Sequence, residues 1–410
     1  MRRNRRNFHW IFLILRIRIC KMQSSSPRFA AIAVNFLGTM IAKSQRFRTG
    51  AELSAAVIHI VQRLAPGGLE VLAIELARGI GTASKLLSLE GDSEALIDRW
   101  HRLKAHSLDI VGLGKGAGVQ PDMVRKVFAA ISAIKPHAVV THHIGPLIYG
   151  GLAARLARVP YLVHVEHDAW HLGAGRHRWM MRALVVALQP RLVAVSDLGA
   201  TEFRKHLPGA RIRVIPNGID LNRFTADQRD ARRRELGLPA GVPIVGTVGR
   251  LEHVKGHDVL IDALSHIQRD CRIVIAGDGS LRQSLEARAR ALGVHDRIVF
   301  LGHREDVADL YPCFDLFVLP SRNEGLSISL LEAQACGVPI VASDVGATRE
   351  AACPDTGRLV RPDNPRELAR NIAEAFSDRH FVSPRDFVAR HFDFASTLAS
   401  YRDILELKPC

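Results

Sequence analysis

The chain is 410 residues long, 47% apolar and 24% charged, which leaves room for two domains with cores of their own and excludes a disordered or membrane-embedded chain. Its net charge of +15 is unevenly spread: residues 1–50 hold nine Arg and two Lys with no Asp or Glu, while the remainder has 45 basic against 41 acidic residues. The basic excess therefore belongs to a tail, and nucleic-acid binding by the body is not called for. Six cysteines (Cys20, Cys271, Cys313, Cys336, Cys353 and Cys410) form no CxxC pair, which fits a reducing compartment and provides no zinc site.

In residues 1–50, Arg2, Arg3, Arg5 and Arg6 precede an apolar run at 10–15 that Arg16 and Arg18 interrupt. Spanning a bilayer takes about 20 apolar residues, so neither this run nor 29–42, which contains Asn35, crosses one. The segment is read as a basic N-terminal extension, with Met22 or Met40 nearer the natural start. The competing reading is an anchor at an anionic inner-membrane surface, with Trp10 and Phe12 in the interface.

From residue 51 to about 220, strand and helix signals alternate. Strands are predicted at 57–61, 85–89, 109–112, 137–141, 161–165 and 192–196, with helices at 69–78, 122–135, 147–157 and 176–188. That alternation means a doubly wound parallel sheet, whose ligands sit beyond the carboxyl ends of the strands. Gly67-Gly68 follows the first strand, where the backbone can approach a diphosphate or sugar; a plain tight turn explains the pair equally well. His142 and His143 follow the fourth strand, and His164, Glu166, His167, Asp168 and His171 cluster at the end of the fifth. His164 and His167 sit where alternation turns their rings to opposite faces, so a metal site is disfavoured. His167 is the first choice for bonding a hydroxylated ligand. The basic start of the 176–188 helix, with Arg176, Arg178 and Arg182 around Trp179, is either a solvated helix end or a contact to anionic lipid.

A strand at 213–215 and the turn Pro216-Asn217-Gly218 lead through a linker, 221–240, to a second alternating series over 241–385. Its strands are expected at 244–248, 272–276, 298–301, 316–319 and 339–342. After the first of these comes GRLEHVKGHD, with Arg250 and Lys255 both able to reach a phosphate, Arg bidentately and Lys as a point charge. After the fourth comes a turn-forming patch and then a helix, with Glu324 and Glu332 separated by seven residues. Gly325 permits close backbone approach, and the amides of Leu326, Ser327 and Ile328 are free donors at a helix start. The bland alternative makes Ser329 and Glu332 a capping box and Glu324 an exposed loop charge. Two cations, an amide-lined loop and carboxylates at one sheet end together describe a site for a nucleotide diphosphate-sugar.

Residues from about 55 to 405 resemble GT-B fold glycosyltransferases of family 4, retaining enzymes with two Rossmann-like domains facing across a cleft. The likeness is carried by PGGLE after the first strand, PNGID at the hinge, GRLEHVKG, the Glu-x7-Glu stretch EGLSISLLE and GVPIVAS behind it. It implies that Arg250 and Lys255 hold the donor diphosphate, that Gly325 and Leu326 offer amides, and that Glu332 takes the ribose hydroxyls, with Gly67 and Gly68 as further donor-binding candidates. Glu324 would contact the donor sugar and the reacting face, and His167 would serve the acceptor side. Where the family usually has Phe, this chain has Leu326, which changes packing but not the amide. A C-terminal helix within 386–410 would cross back to the first domain. No Asp-x-Asp occurs in the chain, so a metal-bridged diphosphate is disfavoured, and no cofactor is implied.

The stretches THHIGPLIYGGLAAR and VEHDAWH look most like transferases of bacterial surface or exported polysaccharides. The expected function is thus retaining transfer from a nucleotide-sugar, UDP favoured, to a glycan or lipid-linked acceptor. The expected place is the cytoplasm, peripheral to the inner membrane through the N-terminus or the 176–188 helix. The rival readings are a sugar-nucleotide epimerase, which turns over donor without acceptor, and a non-catalytic glycan-binding protein, which tolerates loss of Glu324. A phosphorylase would need a pyridoxal lysine, for which no motif is present.

Overall fold

The computed structural model describes residues 54–407, apart from 82–83, 95, 97–99, 101–107, 169, 228, 240 and 379–381. The N-terminal extension, with the expectations attached to it, lies outside the described residues.

Seven parallel strands form the first sheet: β1 (Ser54–Arg63), β2 (Lys85–Glu90), β3 (Asp109–Gly112), β4 (Pro136–His142), β5 (Tyr161–Glu166), β6 (Arg191–Ala194) and β7 (Ile212–Val214). Their order is β3-β2-β1-β4-β5-β6-β7. Six more form the second: β8 (Ile244–Val248), β9 (Arg272–Ala276), β10 (Ile298–Gly302), β11 (Leu316–Leu319), β12 (Ile340–Ser343) and β13 (Gly357–Val360), ordered β10-β9-β8-β11-β12-β13. The order reverses beside β1 in one sheet and beside β8 in the other, so each sheet opens a crevice at that switch point. The central strands read as unbroken apolar runs because helices cover both faces; Val57, Ile58, Ile60 and Val61 of β1 are all fully buried.

The helices are α1 (Gly68–Ile80), α2 (Asp122–Ile134), α3 (Gly175–Leu188), α4 (Asp197–His206), α5 (Arg229–Glu235), α6 (His257–Leu264), α7 (Arg282–Ala291), α8 (Ile328–Ala335), α9 (Pro365–Ala375), α10 (Pro384–His391) and α11 (Phe394–Ile404), with shorter turns between. Helices α4, α5, α9 and α10 and strand β13 were not expected from sequence, α5 lying inside the segment read as a linker. Helix α4 is polar and contains Gly199; it starts because the Ser196 hydroxyl accepts from the Gly199 amide and an acceptor from the other lobe completes the cap. Strand β13 is a four-residue edge too short for a pattern, ordered by pairing with β12. The expected helix at 147–157 begins earlier, near 144, and contains a π turn at Leu147–Gly151.

One cluster of buried apolar side chains runs from Leu72, Leu76 and Val165 of the first lobe to Phe317, Leu326 and Leu330 of the second. Helix α11 does return to the first lobe: Arg402 donates to the Gly79 carbonyl at 2.9 Å, and His137 Nε2 bonds the Leu405 carbonyl at 2.8 Å. Among the described residues, no helix is long and apolar enough to cross a membrane.

Candidate active site

The two switch points face each other, and backbone closes on backbone between them. A Cβ on Gly325, in the loop after β11, would lie 2.2 Å from the His167 carbonyl oxygen at the end of β5. A Cβ on Gly68, at the start of α1, would lie 3.2 Å from Ile328 at the start of α8. The Asn217 side chain of the hinge donates to the Leu326 carbonyl at 3.2 Å. On the far side of α8, the Glu350 carboxylate accepts the amides of Asp197 and Leu198 at 2.8 and 2.7 Å, which caps α4 across the lobes. Glycine at 68 and 325 thus lets the loops after β1, β5 and β11 meet.

At this junction, Lys255 Nζ lies 2.7 Å from Glu324 Oε1, and the Ser321 hydroxyl donates to the same oxygen at 2.6 Å. The Glu324 side chain is only 7% exposed, so it is not the loose surface charge of the bland reading. Lys255 is aimed by the turn that follows it. Gly256 sits at φ +64°, and a side chain there would meet the Pro320 carbonyl. Arg322 fastens the same turn, gripping Asp258 with both terminal nitrogens at 2.9 and 2.7 Å and bonding the His253 carbonyl. Arg250 is exposed at the loop after β8. Its charge reaches Glu70 of α1, whose pKa burial raises while Arg250, His143 and Arg63 pull it back down. Arg250 is thus near enough to Glu70 for its charge to act on it.

Glu332 is buried in α8 and accepts the Tyr311 hydroxyl at 2.6 Å. Helix α8 starts at Ile328 with no side-chain cap, so the capping-box alternative fails. The Tyr311 hydroxyl is pushed well up by burial and by the Glu332 charge, which keeps it a donor. Among the described residues, the amides of Gly325, Leu326 and Ser327 have no backbone acceptor.

The histidines divide by face. Register pairs His59 with Val140, His142 with Val165, and Thr141 with His164. Alternation therefore puts His59, His142 and His167 on one side of the sheet, and Thr141, His164 and Glu166 on the other. On the first side, His59 Nδ1 lies 3.3 Å from His142 Nε2, and His142 Nδ1 lies 3.0 Å from His167 Nε2. Burial depresses all three rings, His59 to about 3 and the other two well below the usual value, with neighbouring imidazoles adding to the effect on His142 and His167. His143, just past the strand end, reaches both sides: its ring lies 5.2 Å from that of His167, and its Nδ1 donates to Glu166 Oε1 at 3.1 Å. Burial opposes the charge on both partners; their mutual bond and attraction win, so His143 is raised and Glu166 falls far below the carboxylate range. His143 also has φ +67° and ψ 170°, a region reserved almost entirely to glycine, and its backbone is held there by its amide bond to the Val165 carbonyl. His143, Glu166 and Asp168 offer ligand atoms within 4.8 Å of one another, but His143 holds its proton toward Glu166, which makes them an ion pair with a neighbour.

Of the sequence-predicted residues, Gly68, Lys255, Glu324, Gly325, Leu326 and His167 gather at one junction; Gly67 stands beside Gly68, Arg250 is exposed in the loop after β8, and Glu332 is buried one helical turn further along, against Tyr311. The sequence reading missed Ser321, Tyr311, Asn217, Glu70, Glu350 and His59. Glu70 stood in PGGLE and Asn217 in PNGID, so their motifs carried a signal. Tyr311 and His59 gave none, because each looks like an ordinary core position.

Two doubly wound sheets whose switch-point loops meet over fixed cations and buried carboxylates define a GT-B glycosyltransferase. The chain belongs to glycosyltransferase family 4: the family model for Glycosyltransferase Family 4 matches residues 66–223, and that for Glycosyl transferases group 1 matches 228–390. It is 32% identical over 307 residues to the putative glycosyltransferase EpsF of Bacillus subtilis, covering 70% of this chain and 79% of that one. It is 38% identical over 210 residues to the D-inositol 3-phosphate glycosyltransferase of Xylanimonas cellulosilytica, covering 47% of this chain and spanning only half of that relative. Among solved structures it is similar to Anabaena HepE, over 86% of this chain and 99% of that one: 23% identical with TM-score 0.76 in the complex with UDP and glucose, 25% and 0.73 in that with UDP-glucose.

Proposed function

We infer that this glycosyltransferase takes its sugar from a nucleoside-diphosphate donor, a UDP-sugar, and passes it with retention to a hydroxyl of a glycan or lipid-linked glycan in surface-polysaccharide synthesis. The observation that carries this reading is the Lys255–Glu324 pair, set beside the amides of Gly325 and Leu326 and closed over by the His167 carbonyl. A donor diphosphate laid along these amides meets Lys255 and Arg250. Their charge grows in value as negative charge develops on the leaving phosphate, because neither group has to reorganise. They supply what a divalent ion would otherwise supply, so the reaction needs no metal and no cofactor. Glu332, fixed by Tyr311, takes the ribose hydroxyls.

In the transfer, the bond from C1 of the sugar to the diphosphate oxygen breaks and the acceptor oxygen bonds C1 on the same face. The acceptor proton passes to the departing phosphate oxygen. Glu324, gripped by Lys255 and Ser321, orients the sugar and stabilises charge instead of attacking C1, and His167 bonds a hydroxyl from the opposite lobe. Support for the UDP donor comes from the likeness to HepE, which was solved with UDP-glucose. Helix α3, with Trp179 and Val186 exposed beside Arg176 and Arg178, supports peripheral contact with an anionic membrane face at the cytoplasmic side.

The test is a donor screen with purified protein, UDP-, GDP- and ADP-sugars, with and without chelator, against glycan, lipid-linked and inositol-phosphate acceptors. UDP-sugar turnover that survives chelation and yields an α-configured product from an α-linked donor is expected. Loss on chelation removes the metal-free mechanism, an inverted product removes retention, and turnover on inositol phosphate alone removes the glycan acceptor. Donor turnover without any acceptor, giving an isomeric sugar nucleotide, would establish the epimerase instead.

A further inference from the structure

The hinge turn Pro216-Asn217-Gly218 is tied down on both sides. Before it, the Ile215 amide bonds the Ala194 carbonyl at 3.0 Å, and the Thr397 hydroxyl donates to the Pro216 carbonyl at 2.9 Å. After it, the Ile219 amide bonds the Phe392 carbonyl at 2.7 Å, and the Phe394 amide bonds the Ile219 carbonyl at 3.2 Å. Gly218 lets the turn lie against the start of α11, where a Cβ would stand 2.6 Å from Phe394 Cα. Asn217 is thus held through both neighbours, and its side chain, 4% exposed, reaches out of the hinge to the loop after β11.

There it meets a single peptide. Asn217 Nδ2 donates to the Leu326 carbonyl at 3.2 Å, and nothing else among the described residues bonds that oxygen. The side-chain amide must stand this way round, because Oδ1 has no hydrogen to offer a carbonyl. The Leu326–Ser327 peptide is trans, so its N–H points opposite to its C=O, away from the hinge. Ser327 is 5% exposed, and no described residue accepts its N–H. A buried N–H without an acceptor is rare, and this one lies at the start of α8, three residues after Glu324. Were Asn217 apolar, neither polar end of this peptide would have a hydrogen bond to a described residue. The flanking side chains hold the path of the chain, but a crankshaft turn of the peptide plane leaves them in place. Asn217 alone distinguishes the two orientations by hydrogen bonding.

We propose that Asn217 is a positioning residue: from the hinge it fixes the Leu326–Ser327 peptide so that the Ser327 N–H is already aimed at a phosphate oxygen of the donor. This rests on the reading that the loop after β11 takes a nucleoside diphosphate. A donor group set in advance does not have to reorganise as charge grows on the departing phosphate.

The experiment is equilibrium titration of the full-length protein with UDP and with uridine, which shares the base and ribose but has no phosphate. Asn217→Leu keeps the branched shape and removes the N–H donor; Asn217→Ala removes it with less bulk, so failure of one to fold leaves the other. Ser327→Pro deletes the peptide N–H itself, at a φ of −69° that proline adopts. Each single variant should weaken UDP about tenfold, the loss of one hydrogen bond to a charged group, and leave uridine within about twofold. Asn217→Ala combined with Ser327→Pro should bind UDP no more weakly than Ser327→Pro alone, since both changes remove one contact. Unchanged UDP affinity in the Asn217 variants overturns the proposal. Equal weakening of UDP and uridine also overturns it, by making Asn217 a structural tie between hinge and loop, and so does wild-type UDP binding by Ser327→Pro. If the wild type binds GDP or ADP in place of UDP, the choice of base falls, and the same comparison with that nucleotide and its nucleoside decides the role of Asn217. If it binds no nucleoside diphosphate, the donor reading falls and the proposal falls with it.

Discussion

Gly325→Ala puts one methyl group where two lobes touch. The new carbon would lie 2.2 Å from the His167 carbonyl oxygen, and an ordinary contact begins at 3.4 Å, so about 1.2 Å must be found. Gly325 lies outside the positive-φ region, so alanine adds no backbone strain of its own. The obstacle is a main-chain carbonyl, not the far end of a flexible side chain, so either the β11 loop retreats or the lobes part. Both displace Glu324 and the loop amides relative to His167. A misplacement of about 1 Å at a reacting centre costs on the order of 10²-fold in rate. The loss should appear in kcat/KM for sugar transfer by coupled UDP release. The melting temperature should fall as well, because Leu326 beside the clash belongs to the core that runs between the lobes. Activity within about threefold of wild type would refute the idea that this junction sets the reacting geometry.

Removing the cation next to the buried carboxylate should be costlier in catalysis than in binding: Lys255→Ala is expected to lower kcat by about 10²–10³-fold, with Lys255→Arg intermediate, as read by initial rates at saturating donor. Tyr311→Phe keeps the ring and deletes the hydroxyl that bonds Glu332; it should cost about 1.5–3 kcal/mol in urea unfolding and raise the donor KM, and an unchanged KM would separate Glu332 from the donor. Acid should act early. His59, His142 and His167 have folded pKa values below the unfolded 6.5, so the unfolded chain binds more protons and stability falls as pH drops through 6.5, by up to about 1.4 kcal/mol per pH unit for each ring. Glu166, depressed from 4.5, adds its loss only below that value, and His143, raised, loses its contribution as pH rises above 6.5. A melting temperature flat between pH 7 and 5 would contradict the buried neutral file.

Much of the fold was legible because parallel strands buried on both faces read as short apolar runs, and β3, β8, β9 and β11 fall where the residues put them. Of the elements that escaped, α4 and β13 owe their order to partners elsewhere: a cap from Glu350 in the other lobe and a ladder to β12. Within the site, motif spacing placed Lys255, Glu324 and Gly325 near one another, since all lie in loops after strands of one sheet. Sequence also placed His164 and His167 on opposite faces. It could not say that Glu324 would be gripped by Lys255 and Ser321, or Glu332 by Tyr311, because those bonds join segments whose relative depth is set only by packing. Nor could it align His59 with His142 and His167. That file depends on strand register, and a slip of one residue would turn each ring to the other face of the sheet.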